Sequence, residues 1–170
     1  MTTPKLAKAA GVSVGCLYGY FKDKDDLFQA VLDRYSQQFD ALREDAFRKL
    51  QSGGEPIQDQ LSGFLTDLIA VHQASRELNA EMKQLSFRDQ SIKSRLERTE
   101  VKVHAAIKGW LQSRRKAITI GDLEAGAVIL MDMVNCLVDR VVFGHMPVSR
   151  RRLMEEGVNA LVSVVGLRED

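Results

Sequence analysis

Apolar residues recur three and four positions apart along most of this 170-residue chain, with polar residues between them. This spacing places the apolar side chains on one face of an α-helix. The longest stripe begins at Leu27 and ends at Phe47, and the stretch QSGGEP stops it because Gly53 and Gly54 favour a turn. No segment alternates convincingly with the period of a strand, so the pattern predicts an all-α fold.

The other stripes predict further helices, about eight in all. Two short helices precede the long stripe, and those that follow it are expected over 57–69, 78–85, 92–111, 122–143 and from 149 onward. Asp122 and Ser149 belong to the residue types that cap helix N-termini, so we expect them to begin the last two helices.

The composition is that of an ordinary soluble protein, with 45% hydrophobic and 28% charged residues and a net charge of +1. Cys16 and Cys136 are far apart and form no disulfide or metal-binding pattern, which favours the reducing cytoplasm. Acidic, basic and amide side chains interrupt the most apolar window, 125–143, so a membrane span is not expected. The N-terminus has no pattern of a secretory signal.

The stretch GVSVGCLYGYF, residues 11–21, raises two hypotheses. It contains Gly-x-Ser-x-Gly, the spacing of a hydrolase nucleophile elbow, with Ser13 as the nucleophile. Such an elbow needs a preceding strand and a parallel sheet, whereas the residues before Gly11 are strong helix formers. The other hypothesis is a helix-turn-helix, with Gly11 at the turn and Ser13 capping the second helix.

Glycine content and charge support the second hypothesis. Gly15 and Gly19 are costly inside a helix, and close approach of a ligand to the backbone would explain them. Residues 1–24 contain four lysines and one aspartate, a local net charge of +3, and contact with phosphate requires such positive charge. The segment therefore indicates contact with DNA.

The stretch LAKAAGVSVGCLYGYFKDKDDLFQAVL resembles the DNA-binding head of the TetR family of transcriptional regulators, from about Thr3 to Leu32. The resemblance implies a head over 1–32 and a helical ligand-sensing and dimerisation domain over 33–170. It also implies a recognition helix that begins at Ser13 and lies in the major groove of DNA. The DNA-contact residues implied by the family pattern are Thr3, Ser13, Val14, Gly15, Tyr18, Gly19, Tyr20 and Lys24.

The same resemblance implies different roles for these residues. Val14, Gly15 and Gly19 would face base edges, and the remaining side chains would hold phosphates. Val14 departs from the polar or charged residue that is frequent in the family, and it could contact only a thymine methyl group or a sugar.

The family also has a helix ahead of the motif that this chain does not contain, so the head is expected to be incomplete. Leu6, Leu17 and Phe21 would lose the cover of that helix. Burial of one large apolar side chain contributes about 1.5–3 kcal/mol, so we expect a loosened head that binds operator DNA poorly.

The last two predicted helices are apolar around most of their circumference, which predicts burial in the core on one face and against a second chain on the other. The alternative is that both helices belong to the core of a monomer. The predicted dimer interface consists of Val134, Leu137, Val138, Val141, Val158, Leu161, Val162 and Val165.

Large, adaptable side chains between the head and the interface helices suit an apolar pocket with a few polar anchors. For each of them, plain core packing is the alternative. The candidate ligand-binding residues are Phe64, His72, Met82, Phe87, Trp110, Met131 and Asn135.

Together with these patterns, the resemblance implies a cytoplasmic, dimeric repressor that binds palindromic operator DNA and is released by a small apolar or amphipathic effector. No metal, nucleotide or credible nucleophile motif is present, so neither an enzyme nor a cofactor is expected. An alternative from another class is a helical adaptor that binds a protein partner and not DNA. Residues 83–116, with ten basic and three acidic side chains, present either a second basic patch or a solvated helix face.

Overall fold

The structure, a computed structural model, describes residues 3–52 and 54–166 and is built from α-helices. No β-strand occurs among these residues, and the all-α prediction is confirmed. The helices are α1 (Thr3–Ala10), α2 (Val14–Tyr20), α3 (Lys24–Ser52), α4 (Ile57–Ala74), α5 (Arg76–Leu85), α6 (Gln90–Ser113), α7 (Leu123–Phe143) and α8 (Arg150–Val165).

The chain divides into two compact units, Met1–Ala41 and Leu42–Asp170. The division falls within α3, nine residues beyond the boundary expected at Leu32. Each unit is described by itself below.

In the first unit, a tight turn joins α1 to α2. Gly11 adopts a φ of 68°, a left-handed conformation that favours glycine. The backbone N–H of Gly11 donates to the carbonyl of Lys8 at 3.2 Å, and that of Val12 donates to the carbonyl of Ala7 at 3.0 Å. These bonds satisfy carbonyls at the end of α1, so the chain reverses at the predicted position.

Ser13 caps α2 as expected, because its Oγ accepts a hydrogen bond from the backbone N–H of Cys16 at 3.0 Å. A reciprocal pair of aspartates begins α3 in a similar way. Asp23 accepts from the N–H of Asp26 at 2.8 Å, and the carboxylate of Asp26 accepts from the N–H of Lys22 at 2.9 Å. Short polar side chains thus cap the beginnings of both α2 and α3.

The core of the second unit lies between α4, α6, α7 and α8. Leu65 and Leu111 are fully buried there. The loop after α6 contributes the buried Ile118. The buried core residues are Leu65, Trp110, Leu111, Ile118, Ala127, Leu130, Val158, Leu161 and Val165.

Hydrogen bonds close this core at the loop between α6 and α7. The backbone N–H of Thr119 donates to the carbonyl of Gly166 at 2.9 Å, which ties the loop to the end of α8. Asp122 then caps α7 by accepting from the N–H groups of Glu124 and Ala125 at 2.9 and 3.1 Å. Ser149 caps α8, so both expected caps are confirmed.

The packing of α7 and α8 bears on the predicted dimer interface at five positions. Their own chain buries five of its side chains: Val138, Val141, Val158, Leu161 and Val165. Val134 lines an internal cavity, and Leu137 and Val162 are half-buried against the core. The outer face of α7 instead exposes Val128 and Ile129.

We predict that Gly166→Ala destabilises the second unit. Gly166 has a φ of 61°, and a Cβ atom there would lie 1.8 Å from Thr119 Oγ1. Left-handed strain and the steric conflict together should lower the free energy of unfolding by about 2–4 kcal/mol, measured by urea unfolding.

Gly63→Ala is the matched control for Gly166→Ala. Gly63 lies inside α4, and an added Cβ would meet nothing within 4 Å. This variant should be about 0.5–1 kcal/mol more stable than the wild type. Equal stability of Gly166→Ala and the wild type would contradict the predicted strain and steric conflict at Gly166.

Candidate functional site

The predicted DNA-contact residues lie on a solvent-facing surface of the first unit. None of the seven residues of α2 is buried. Tyr20 is 81% exposed and Tyr18 is 52% exposed, and Val14 and Lys24 are exposed beside them. The side chain of Thr3 lies outside the described part of the chain. We call the surface formed by Val14, Gly15, Tyr18, Gly19, Tyr20 and Lys24 the α2 surface.

The two glycines of the α2 surface have open space around them. A Cβ atom at Gly19 would meet nothing within 4 Å, and one at Gly15 would meet only Ser13 Oγ, at 3.9 Å. Both residues have ordinary helical backbone rather than a positive φ. Packing within the described chain therefore gives no reason for glycine at either position, and an external partner that approaches the backbone would.

Positive charge lies beside this surface. Lys8, Lys22 and Lys24 are exposed, and the side chain of Lys5 is outside the described part. The carboxylates of Asp23 and Asp26 accept backbone hydrogen bonds at the start of α3. Because these carboxylates already accept backbone hydrogen bonds, less of their negative charge is left to oppose a bound phosphate.

The second unit contains a cavity of about 190 Å³ between its helices, and its wall is mostly apolar. Five of the seven predicted ligand-binding residues line it, namely Phe64, His72, Trp110, Met131 and Asn135. Met82 is buried but does not reach the cavity, and Phe87 is 89% exposed in the turn after α5.

Residues that were not predicted complete the wall. Phe47 of α3 and Val103 and Ile107 of α6 line the cavity. The sequence pattern predicted apolar faces on these helices, but it did not indicate which face would enclose a cavity. Arg43 and Glu100 add two charges of opposite sign. The cavity therefore combines a large apolar wall with a few polar groups, the composition of many small-molecule sites.

His72 contributes a polar group that is neutral at pH 7. Burial lowers the pKa of His72 from its ordinary value of 6.5, because removal from water penalises the charged imidazolium. Asp139 opposes this shift, while Lys83 and Arg43 add to it. The cavity wall thus presents a neutral imidazole at this position.

Polar contacts hold α5 beside the end of α4, where His72 lies. Buried Asn79 donates from Nδ2 to the carbonyl of His72 at 3.1 Å, which satisfies one of the last carbonyls of α4. Lys83 and Asp139 form an ion pair of 2.5 Å between α5 and α7. These contacts fix the His72 end of the cavity.

Trp110 is the most deeply buried polar group in the cavity wall. Its side chain is 5% exposed, and its Nε1–H has no hydrogen-bond partner within the described part of the protein. The guanidinium of Arg114 lies 5.7 Å from the centre of its ring. The Nε1 atom itself has almost no accessible surface, so it faces packed protein rather than the open part of the cavity.

Many of the basic side chains over 83–116 form ion pairs or hydrogen bonds within the chain. Lys83, Lys93 and Lys108 pair with acidic side chains. Arg114 donates to the carbonyl of Leu50 at 2.6 Å, and Arg115 donates to carbonyls of the loop after α6. At least half of the ten basic residues thus have partners in the chain, which favours the solvated-face interpretation over a second basic patch.

Other kinds of site find little support in the described residues. Within 3–52 and 54–166, no three histidine, cysteine or acidic side chains are grouped so that they could hold a metal ion. Over the same residues, no helix has the length and apolar character needed to cross a membrane. Cys16 and Cys136 are both exposed and free.

Comparison with known proteins gives a family for the first unit. Residues 1–31 match the family described as bacterial regulatory proteins, tetR family. The nucleoid occlusion factor SlmA of Haemophilus ducreyi is 51% identical over 37 residues, which are 22% of this chain and only 18% of that protein. The chain therefore shares a short segment with this curated relative.

Solved structures match nearly the whole chain. A TetR transcription regulator from Haloarcula marismortui superposes with a TM-score of 0.71 at 18% identity, over 99% of this chain and 88% of that one. FadR of Thermus thermophilus, a TetR-family transcriptional repressor in complex with lauroyl-CoA, superposes with a TM-score of 0.60 at 21% identity, over 100% and 87% of the two chains. At these identities, the likeness establishes the fold.

The molecule is thus an all-helical protein with a helix-turn-helix in its first unit and a cavity in its second. Its first 31 residues match the tetR family of bacterial regulatory proteins. It has the fold of a transcriptional regulator of that family.

We predict that His72 makes folding stability depend on pH. Since the pKa of His72 is lower in the folded protein, the unfolded chain takes up the proton first as the pH falls. The free energy of unfolding should therefore decrease below a pH of about 6.5, and His72→Gln should reduce this decrease. Urea unfolding at a series of pH values measures the effect.

The variant His145→Gln controls for the loss of a histidine as such, because His145 is exposed. Equal pH dependence in the wild type and in His72→Gln would contradict the prediction.

Proposed function

We propose that this protein is an effector-responsive transcriptional repressor that acts in the cytoplasm. As a dimer, it binds palindromic operator DNA through its first unit. A small apolar or amphipathic molecule in the cavity of the second unit releases it from DNA. The observation that carries the proposal is the α2 surface, where a glycine-containing helix without a single buried residue lies beside exposed lysines.

In this proposal, α2 enters the major groove. Gly15 and Gly19 let the helix backbone approach the base edges, and Val14 packs on a thymine methyl group or a sugar. The hydroxyls of Tyr18 and Tyr20 and the ammonium of Lys24 bind phosphates, which fixes the orientation of the helix without reading sequence. Two copies would contact half-sites about 34–36 Å apart.

The cavity supports the effector part of the proposal. Its volume of about 190 Å³ exceeds the roughly 150 Å³ of an apolar cavity that holds benzene. The similar FadR structure contains lauroyl-CoA, a ligand with an apolar chain, and this is consistent with an apolar effector here. Such an effector would act by binding more tightly to a state with low DNA affinity.

The dimer is proposed to form through the outer faces of α7 and α8. Val128 and Ile129 are exposed on α7, and Ala125 and Cys136 are exposed on the same helix. On α8, Ala160 is exposed between polar side chains. These residues replace the five buried positions of the predicted interface.

The alternative, a helical adaptor without DNA binding, differs in its response to salt. A repressor that neutralises phosphates releases counterions, so its DNA affinity should fall steeply as salt rises. Fluorescence anisotropy with a duplex selected from a random library, at two salt concentrations, separates the two hypotheses. No binding at either concentration would favour the adaptor.

We predict that Gly19→Ala has opposite effects on folding and on DNA binding. Alanine should stabilise α2 by about 0.5–1 kcal/mol, because glycine is unfavourable inside a helix. The added methyl group should keep the helix from the base edges and weaken operator binding about tenfold, which corresponds to about 1.4 kcal/mol. Thermal unfolding and anisotropy measure the two effects.

For Gly19→Ala, the matched control is Gly109→Ala, at an exposed and equally open position in α6. It should raise stability without changing DNA affinity. Wild-type affinity in Gly19→Ala would exclude close approach of α2 to DNA.

We predict that Ile129→Asp converts the dimer to a monomer while the chain stays folded. Ile129 is 49% exposed in the single chain, so its replacement should spare the core. An unpaired carboxylate in an apolar interface would be costly. Light scattering measures the mass, and circular dichroism reports the fold.

Val101→Asp on α6 is the control for this substitution, since Val101 is also exposed but lies outside the proposed interface. An unchanged dimer mass in Ile129→Asp would exclude this face of α7.

A further inference from the structure

The outer face of α7 carries two opposite charges, and their positions limit how a second copy of the chain can pack there. We infer that, in the dimer of the proposed function, the two α7 helices pack antiparallel with the two-fold axis at Cys136. Asp132 of each protomer then forms an ion pair with Arg140 of the partner subunit. The inference rests on the proposed dimer and adds its register, which the exposed apolar residues alone do not give.

The inference begins from one row of side chains on the surface of α7. Val128, Asp132, Cys136 and Arg140 follow one another at intervals of four residues, and all four are exposed. Residues at this spacing form a ridge along a helix, and such ridges interdigitate when two helices pack. The row thus has the small, uncharged Cys136 at its centre, with a carboxylate one turn before it and a guanidinium one turn after it.

The helix itself pairs neither charge. The residues three and four positions away from Asp132 and from Arg140, where helical partners would lie, are all uncharged. Within the described residues, neither side chain has an ion-pair partner. Arg140 donates one hydrogen bond, to the carbonyl of His145, at the long distance of 3.5 Å. Two opposite charges therefore remain available on this face.

Two-fold symmetry determines which residues meet across the interface. If residue i contacts residue j of the partner, then j also contacts i. When the two rows lie side by side and antiparallel about Cys136, Asp132 lies beside the partner's Arg140. The symmetry then places Arg140 beside the partner's Asp132, so each copy neutralises both charges of the other.

Other arrangements of this row bring like charges together or leave charges unpaired. A parallel pair would place Asp132 beside the partner's Asp132 and Arg140 beside the partner's Arg140. An antiparallel pair centred on Asp132 would bring two carboxylates together and place Arg140 beside the partner's Glu124, which Lys108 already pairs in its own chain. A centre midway between Asp132 and Cys136 would set each charge against an uncharged side chain, which is unfavourable in an apolar interface.

Charge reversals that complement each other test the register. Asp132→Lys would face the partner's Arg140, and Arg140→Glu would face the partner's Asp132, so each variant alone should dimerise at least about tenfold more weakly than the wild type. In a mixed dimer of the two variants, lysine faces glutamate and arginine faces aspartate. The equimolar mixture should therefore form heterodimers within about threefold of the wild-type affinity.

Native mass spectrometry of chains with different tags measures the heterodimer, and circular dichroism confirms that the variants fold. Arg98→Glu is the matched control, because Arg98 is exposed on α6, outside the proposed interface. Mixed with Asp132→Lys, it should give no such recovery. A mixture of Asp132→Lys and Arg140→Glu that dimerises no better than each variant alone would overturn the register.

Cys136 provides a second measurement. The Cα atoms at the crossing of two helices about 8–10 Å apart come within the roughly 4.4–6.8 Å that a disulfide spans. Two thiols lose two electrons and two protons when they form a disulfide, and diamide accepts both. In a chain with Cys16→Ser, diamide should therefore link Cys136 to the partner's Cys136 and give a covalent dimer on a non-reducing gel.

Val128→Cys, in a chain with Cys16→Ser and Cys136→Ser, is the control for cross-linking. Symmetry about residue 136 places the two copies of position 128 about 24 Å apart along the helices, too far for a disulfide. Cross-linking at position 128 as fast as at position 136 would contradict the register.

The outcomes separate this inference from the proposed function. If the wild type is a dimer that Ile129→Asp dissociates, but either the charge exchange or the Cys136 cross-link fails, the register is wrong and α7 remains the interface. If the wild type is a monomer at every concentration, the inference and the dimeric part of the proposed function are both overturned.

Discussion

The structure of the second unit depends on the burial of α7, which packs against α4, α6 and α8. Leu130 and Val138 enter the core from this helix, and the cap at Asp122 fixes where it begins. Because α7 also supplies Met131, Val134 and Asn135 to the cavity wall, the cavity is a region that this packing leaves unfilled. Stability and the shape of the cavity therefore depend on the same helix, and a substitution that repacks α7 will alter both.

The first unit is built on a different principle. Its second helix is held by the turn at Gly11 and by the cap at Ser13, and it places no side chain in a fully buried position. Isolated helices of this length are unstable in water, so α2 depends on these local bonds and on the half-buried Leu17. The exposed residues of α2 are thereby available for recognition, which agrees with the match of residues 1–31 to the TetR family.

The sequence predicted local features well and the outward or inward direction of side chains poorly. Caps at Ser13, Asp122 and Ser149 depend on residues a few positions away, and all three are confirmed. The interface prediction includes Val138 and Leu161, which their own chain buries, because both helices are apolar around most of their circumference and tertiary packing alone decides which face is covered. Phe64 and Phe87 look equally apolar in the sequence, yet one lines the cavity and the other is exposed in a turn.

The open space around Gly15 and Gly19 has an evolutionary consequence. Larger side chains at these two positions would meet little resistance from the rest of the first unit, so its fold imposes few limits on what stands there. Under the proposed function, selection on these positions then comes almost entirely from the bound DNA. Descendants of this protein would then acquire new DNA sequence preferences through single substitutions on the α2 surface, without compensating changes in the core.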